Sequence, residues 1–252
     1  MAFFKSILIS ALVAGIVAGV GLTGLQTLKV YPLIFAAEAF EDAGSAPGAA
    51  SASAHDHHAH EGSQGVNGAK DAGHHHDETA WMPADGAERL LFSLLSNVLM
   101  GVALGLILAA VFALRRVINW RHGVVWGLGG FIALNLAPAV GIPPELPGMP
   151  AGDLLAKQTW WLSTALLTAG GIALIFLCNG LVWRVLGVAM IALPQIYGAP
   201  HLPSIDSAVP AVLAADFATA SLATNLVFWA VLGLLTAEAM ARTPRTVHSK
   251  AI

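Results

Sequence analysis

The sequence predicts an all-α integral membrane protein with about six transmembrane helices, five to seven being compatible with its hydropathy, forming a single membrane domain over residues 1–252. Charged residues make up 11% of the chain and hydrophobic ones 56%, where a typical soluble domain carries about 25% charged residues. Apolar runs of roughly the 20 residues that a spanning helix needs recur along the chain. Glycine supplies 26 of the 252 residues and is commoner in membrane helices than in soluble ones.

In chain order, the first apolar run covers residues 7–28, preceded by Lys5 and followed by Lys29, Tyr31 and Pro32. The small residues Ala36, Ala37 and Ala39 would suit signal cleavage. An apolar core this long exceeds the roughly 7–15 residues of a signal sequence, so a retained helix is expected. Gly15 and Gly19 make a Gly-x-x-x-Gly face suited to close helix approach. From residue 38 to residue 88 no run is long enough to span, and Gly, Ala, Ser, His and acidic residues dominate. This composition predicts a long, mostly disordered loop between the first two helices.

The second span is expected over residues 90–114, with Arg115, Arg116 and Arg121 close behind. The third, 124–140, is short and interrupted by Asn135 and Pro138. The proline-rich run 142–150 breaks the helix, because proline lacks an amide hydrogen and fixes φ. The fourth span, 160–178, opens on Trp160 and Trp161, whose rings suit a membrane interface. Asn179 and Gly180 are expected to turn the chain into the fifth span, 181–199, where Arg184 is placed to snorkel and Pro194 lies near the far end. The sixth lies within 211–239, its start expected after Asp216, and Arg242, Arg245 and Lys250 form a basic tail.

Lys and Arg bias sets orientation. With six spans and both termini cytoplasmic, Lys5, Arg115, Arg116, Arg121, Arg184, Arg242, Arg245 and Lys250 fall inside, against Lys29, Lys70, Arg89 and Lys157 outside. Of the 15 acidic residues only Glu238 then lies near the inner face, so the outer face attracts cations. The net charge of −3 without a basic block argues against a nucleic-acid partner. No Gly-x-x-x-x-Gly-Lys-Ser/Thr loop is present, so no nucleotide cofactor is expected. Cys178 is the single cysteine, which rules out an intramolecular disulfide.

The outer loop carries the clearest chemical signal. His55, Asp56, His57, His58, His60 and Glu61 are followed, after a Gly/Ser/Ala/Asn spacer, by His74, His75, His76, Asp77 and Glu78. Imidazole and carboxylate at this density suit Zn²⁺, Ni²⁺, Co²⁺ or Cu²⁺. A solvated low-complexity loop that merely tolerates histidine is the alternative reading of the same composition. Further polar residues flank the expected outer helix ends: Glu38, Asp85, Glu88, Asn135, Glu145, Asp153, Gln195 and His201. They are candidates for an outer-face translocation site, although an acidic residue at a helix N-terminus also favours the helix dipole without any ligand. Asn97, Asn179 and Asn225 also lie in or beside apolar runs, while no Asp, Glu or His falls centrally in a span. No nucleophile, base and acid stand at catalytic spacing, so an enzyme is not expected.

Several separate motifs add a resemblance. They are Tyr31-Pro32-Leu33-Ile34 with Glu38; Trp81 with Pro83-Ala84-Asp85-Gly86 and Glu88-Arg89; Leu134-Asn135-Leu136-Ala137-Pro138; Pro143-Pro144-Glu145-Leu146-Pro147-Gly148 with Asp153; Gln158 with Trp160-Trp161; and Gly198-Ala199-Pro200. Spread over most of the chain, they resemble the CbtA family of proposed cobalt transporter subunits. The resemblance implies a multi-pass inner-membrane protein that imports cobalt for cobalamin synthesis, with the His-rich loop on the periplasmic side. It also implies a small single-span His-containing partner, a CbtB-like subunit, and is compatible with a homo-oligomer. In one place the chain departs from the family pattern: Gln195 follows Pro194 where a histidine is expected, leaving His201 as the nearest substitute. Nickel or zinc transport, or a non-transporting metal-binding scaffold or sensor, are the alternative functions that the residues leave open.

Overall fold

The computed structural model describes residues 2–45, 83–84, 86–115, 119–150, 152–200 and 207–242, and every described element of regular structure is helical. The elements are α1 (Ala2–Lys29), α2 (Tyr31–Ser45), α3 (Ala87–Arg115), α4 (Trp120–Phe131), a π-helical turn (Ile132–Leu136), α5 (Ala137–Gly141), α6 (Leu154–Leu177), α7 (Leu181–Tyr197) and α8 (Ala211–Arg242). Five segments are long and apolar enough to cross a membrane: Ile7–Lys29, Ala87–Arg115, Trp120–Gly141, Leu154–Leu177 and Ala211–Arg242. The shorter α7, of 17 residues, reaches about 26 Å at 1.5 Å per residue, close to the roughly 30 Å of hydrocarbon.

Local chemistry explains where the helix boundaries depart from expectation. Pro32 does not end the helical region, because a proline in the first turn of α2 removes only an amide that has no partner there. The chain turns at Val30 and remains helical through Glu38 to Ser45. Helix α6 starts at Leu154 rather than Trp160, because the Asp153 side chain caps it by accepting from the Ala156 amide at 2.6 Å. Helix α8 starts at Ala211 and so already includes Asp216. The expected turn at Asn179 and Gly180 is present, with Gly180 at φ 121°, open to a residue without Cβ.

Three antiparallel helix pairs are sealed by glycines. Gly15 and Gly19 of α1 lie against the α3 backbone at Gly101–Val102 and Asn97–Val98; Gly123 and Gly127 of α4 lie against Trp229 and Gly233 of α8; Gly171 of α6 meets Gly187 of α7. A Cβ at any of these would overlap neighbouring backbone. Such close approach supplies dispersion where no hydrophobic drive between helices exists. Helices α1, α3, α4 and α8 form a bundle around Ala14, Ala18, Leu108, Phe112, Phe131, Phe228, Trp229 and Leu232. The α6–α7 hairpin joins that bundle through α4, the π turn and α5.

A second apolar cluster closes one end. Val30, Ala37, Leu146, Val209 and Phe217 are buried together, with Leu33, Ile34, Met149 and Leu213 against them. Helix α2, the proline-rich loop and the start of α8 therefore meet at a single end of the molecule. Alternation of α1, α3, α4 with α5, α6, α7 and α8 between the two ends puts Ala2 and Arg242 together at the other. Polar side chains Ser10, Thr23, Thr164, Thr168, Thr224 and Thr236 are buried inside, while Leu8, Ile9, Leu12, Val13, Leu181, Val182 and Val185 face outward. A surface of this kind is expelled by water and stable in lipid.

Candidate functional site

Charge divides between the two ends. Glu38, Glu88, Glu145, Asp153 and Asp216 lie at the end closed by the second cluster, with Lys29, Arg89 and Lys157 among them; Lys5, Arg115, Arg121, Arg184 and Arg242 lie at the opposite end, where Glu238 pairs with Arg242 at 3.4 Å. We call these the acidic and basic ends.

At the acidic end, most of the candidate carboxylates have protein partners. Glu38, one residue beyond the buried Ala37, accepts from Arg89 at 2.6 Å, and the Arg89 guanidinium stands 5.3 Å from the centre of the Phe35 ring. Both partners of this pair are about one-third exposed, at 31% and 33%. Glu88 accepts from the Ala84 amide at 3.1 Å and so fastens the start of α3. Glu145 takes both oxygens to Lys157 Nζ, at 2.8 and 2.7 Å, clasping the proline-rich loop to α6. Asp153 is occupied as the α6 cap. Glu38 and Glu145 each adjoin a member of the same apolar cluster, Ala37 and Leu146, so the motifs carrying them are brought together.

The two amides among the candidates tie the molecule's parts to the helix that the π turn interrupts. Asn135 sits in the π turn and accepts from Trp229 Nε1 at 2.7 Å, joining that turn to α8. Gln195 of α7 donates to the Ala137 carbonyl at 2.9 Å, joining α7 to α5. A π turn widens the helix by one residue, and Ala137 here bonds back to Ile132. Elsewhere Asn97 donates to Thr23 at 3.0 Å and to Gln26 at 2.7 Å between α3 and α1, and Asn225 bonds back to the Ser221 carbonyl at 2.9 Å.

His55, Asp56, His57, His58, His60, Glu61, His74, His75, His76, Asp77, Glu78, Asp85 and His201 lie outside the described residues. Among the described residues, no three His, Cys, Asp or Glu side chains gather closely enough to hold a metal ion. Two features of the interior escaped sequence reasoning. One is the second glycine pair, Gly123 and Gly127, whose spacing matches that of Gly15 and Gly19. The other is the run Trp160, Thr164, Thr168, at the i, i+4, i+8 spacing of one helix face, whose polar atoms are buried.

Helices that span, an apolar exterior and polar groups held within the helix interfaces define a multi-pass membrane protein. The family model described as "Probable cobalt transporter subunit (CbtA)" matches residues 4–241, and the chain belongs to that family. Comparison with curated proteins and with solved structures finds no match.

Proposed function

We propose that this chain is the membrane-embedded subunit of a Co²⁺ importer that serves cobalamin synthesis. The observation that carries the proposal is the family match over residues 4–241, which takes in every described carboxylate of the acidic end. In this reading the protein sits in the inner membrane with both termini cytoplasmic and the acidic end periplasmic, as the distribution of Lys and Arg favours. The loop bearing His55, His57, His58, His60 and His74–His76, with Asp56, Glu61, Asp77 and Glu78, gathers the ion at that face together with His201. Glu38, Asp85, Glu88, Asn135, Glu145, Asp153 and Gln195 receive it.

The absence of Asp, Glu and His among the described central parts of the spans supports a divided mechanism. A bare divalent ion in low dielectric is very poorly compensated by neutral amides. The ion therefore crosses with part of its hydration, and a small single-span His-containing subunit completes the path. The chain itself performs no catalytic step.

Cells expressing the chain with its small partner should accumulate labelled Co²⁺ faster than cells lacking it when the metal is limiting. Equal uptake would refute the importer, and metal binding without flux in vesicles holding both subunits would identify a scaffold or sensor instead. An unselective imidazole loop binds Ni²⁺ more tightly than Co²⁺, so loop affinity cannot identify the cargo. Competition by Ni²⁺ and Zn²⁺ during uptake does so.

A further inference from the structure

Most buried threonine hydroxyls among the described residues close onto their own helix. Thr23 donates to the Gly19 carbonyl at 3.0 Å, Thr236 to Leu232 at 2.7 Å and Thr224 to Ser221 at 3.0 Å. This back-bonding is the usual refuge of a hydroxyl in an apolar helix. Thr164 and Thr168 of α6 are different. Both side chains are fully buried, at 0% exposure, and neither hydroxyl has a hydrogen-bond partner among the described residues. Trp160 Nε1, one turn away on the same face, is also buried with no acceptor among the described residues.

The elements that touch α6 are α7, the π turn, α5 and α4, so these cover that face. Register fixes what lies opposite. The Trp160 ring fills the space beside Gly141 at the end of α5, where Ala199 also approaches. Counting down the antiparallel neighbours at 1.5 Å per residue, Thr164 lies at the depth of Ala137 and Thr168 at that of Ala133, beside the π turn. The Gly171–Gly187 contact likewise sets Gln195 near the depth of Thr164, and Met190 near that of Thr168.

Two prolines loosen the backbone at these depths. Pro138 lies just past the π turn and Pro194 lies inside α7, both buried. Each removes an amide from its helical ladder, and Pro194 deprives the Met190 carbonyl of its usual donor. Broken helix geometry at membrane depth is tolerated where it is buried in protein or lines a water-filled cavity. The level is near the middle of α6, 10 and 14 residues from Leu154, which corresponds to about 15–21 Å along its axis.

We propose that the seam between α6, α7 and the π turn is where a hydrated divalent cation crosses the middle of the membrane, with Trp160, Thr164 and Thr168 holding its water. This rests on the importer reading and names the part of the chain that carries the ion where ionisable ligands are lacking. Hydroxyl oxygens accept from or donate to the waters around the cation, and the Trp160 indole donates to a water oxygen. The Met190 carbonyl of α7, deprived of its helical donor by Pro194, supplies a further oxygen that accepts from those waters. The ion keeps its inner waters, so no carboxylate is needed at this depth.

The test uses the full chain co-expressed with its small partner. In a Cys178→Ala background, Thr164→Cys and Thr168→Cys should react with a charged methanethiosulfonate reagent added from the acidic side. Leu166→Cys, on the exposed face of α6, should not. Separately, the double variant Thr164→Val with Thr168→Val keeps side-chain volume and should slow the maximal Co²⁺ uptake about tenfold or more at unchanged membrane abundance, with half-saturation little altered. Thr→Ser at both positions should restore uptake to within about twofold, since serine keeps the hydroxyl.

Unreactive cysteines at both positions would show a dry seam and overturn the proposal. Wild-type uptake in the valine pair would overturn it as well, leaving the importer reading intact. Failure of the parent chain to take up Co²⁺ would refute that reading and the proposal with it.

Discussion

Asn135 illustrates how one amide can serve architecture at a place where sequence reasoning expects chemistry. Its oxygen accepts from Trp229 Nε1 at 2.7 Å, so replacing it by Leu leaves a mostly buried indole donor unpaired. Hydrogen bonds between membrane helices contribute about 0.6–1.7 kcal/mol. Asn135→Leu should therefore cost about 1–2 kcal/mol in reversible unfolding from detergent, with much of the loss absent when Trp229→Phe is already present. Glu38 offers the opposite case. Its pair with Arg89 is one-third exposed, and such pairs contribute at most about 1 kcal/mol. Glu38→Gln should leave thermal stability within that range, so a larger fall in Co²⁺ uptake would report contact with the ion rather than loss of fold.

The helix pairs depend on the absence of side chains. At Gly127 a Cβ would overlap the Trp229 carbonyl, whereas at Gly129, on the same helix, it would meet nothing within 4 Å. Gly127→Ala should destabilise by about 1–3 kcal/mol, the usual cost of overpacking. Gly129→Ala should be neutral or slightly stabilising, by up to about 1 kcal/mol. Thermal denaturation of the two purified variants in the same detergent checks the contrast, and similar losses at both would show that the α4–α8 seam is not the determinant. The spacing of Gly15 and Gly19 was readable as a close-packing face. What it packs against was not, because a glycine pair in sequence carries no information about its partner helix.

At the scale of the whole molecule, the proposal separates collecting an ion from passing it. Deleting residues 55–78 removes seven of the ten histidines but none of the described helices. If the loop only concentrates metal, uptake should fall at low Co²⁺ and recover at high Co²⁺. Loss of uptake at every concentration would make the loop part of the passage itself. Ordering a loop around one ion costs about 1–2 kcal/mol of backbone entropy per residue, which favours the collecting role.

Local composition suffices for the membrane class, the approximate positions of the apolar segments and the segregation of charge. Each depends on local composition: an apolar run must bury its backbone bonds in a helix whatever surrounds it. Cap chemistry at Asp153 and the first-turn tolerance of Pro32 were present in the sequence too, though competing signals at Trp160 and Tyr31 concealed them. Packing between distant segments sets that Glu38 meets Arg89, that Glu145 meets Lys157, that Asn135 joins the π turn to α8 and that Gln195 joins α7 to α5. It alone separated Thr164 and Thr168 from the threonines that bond to their own helix. A hydroxyl's partner depends on which helix lies across from it, and that is set by packing between segments distant in the chain.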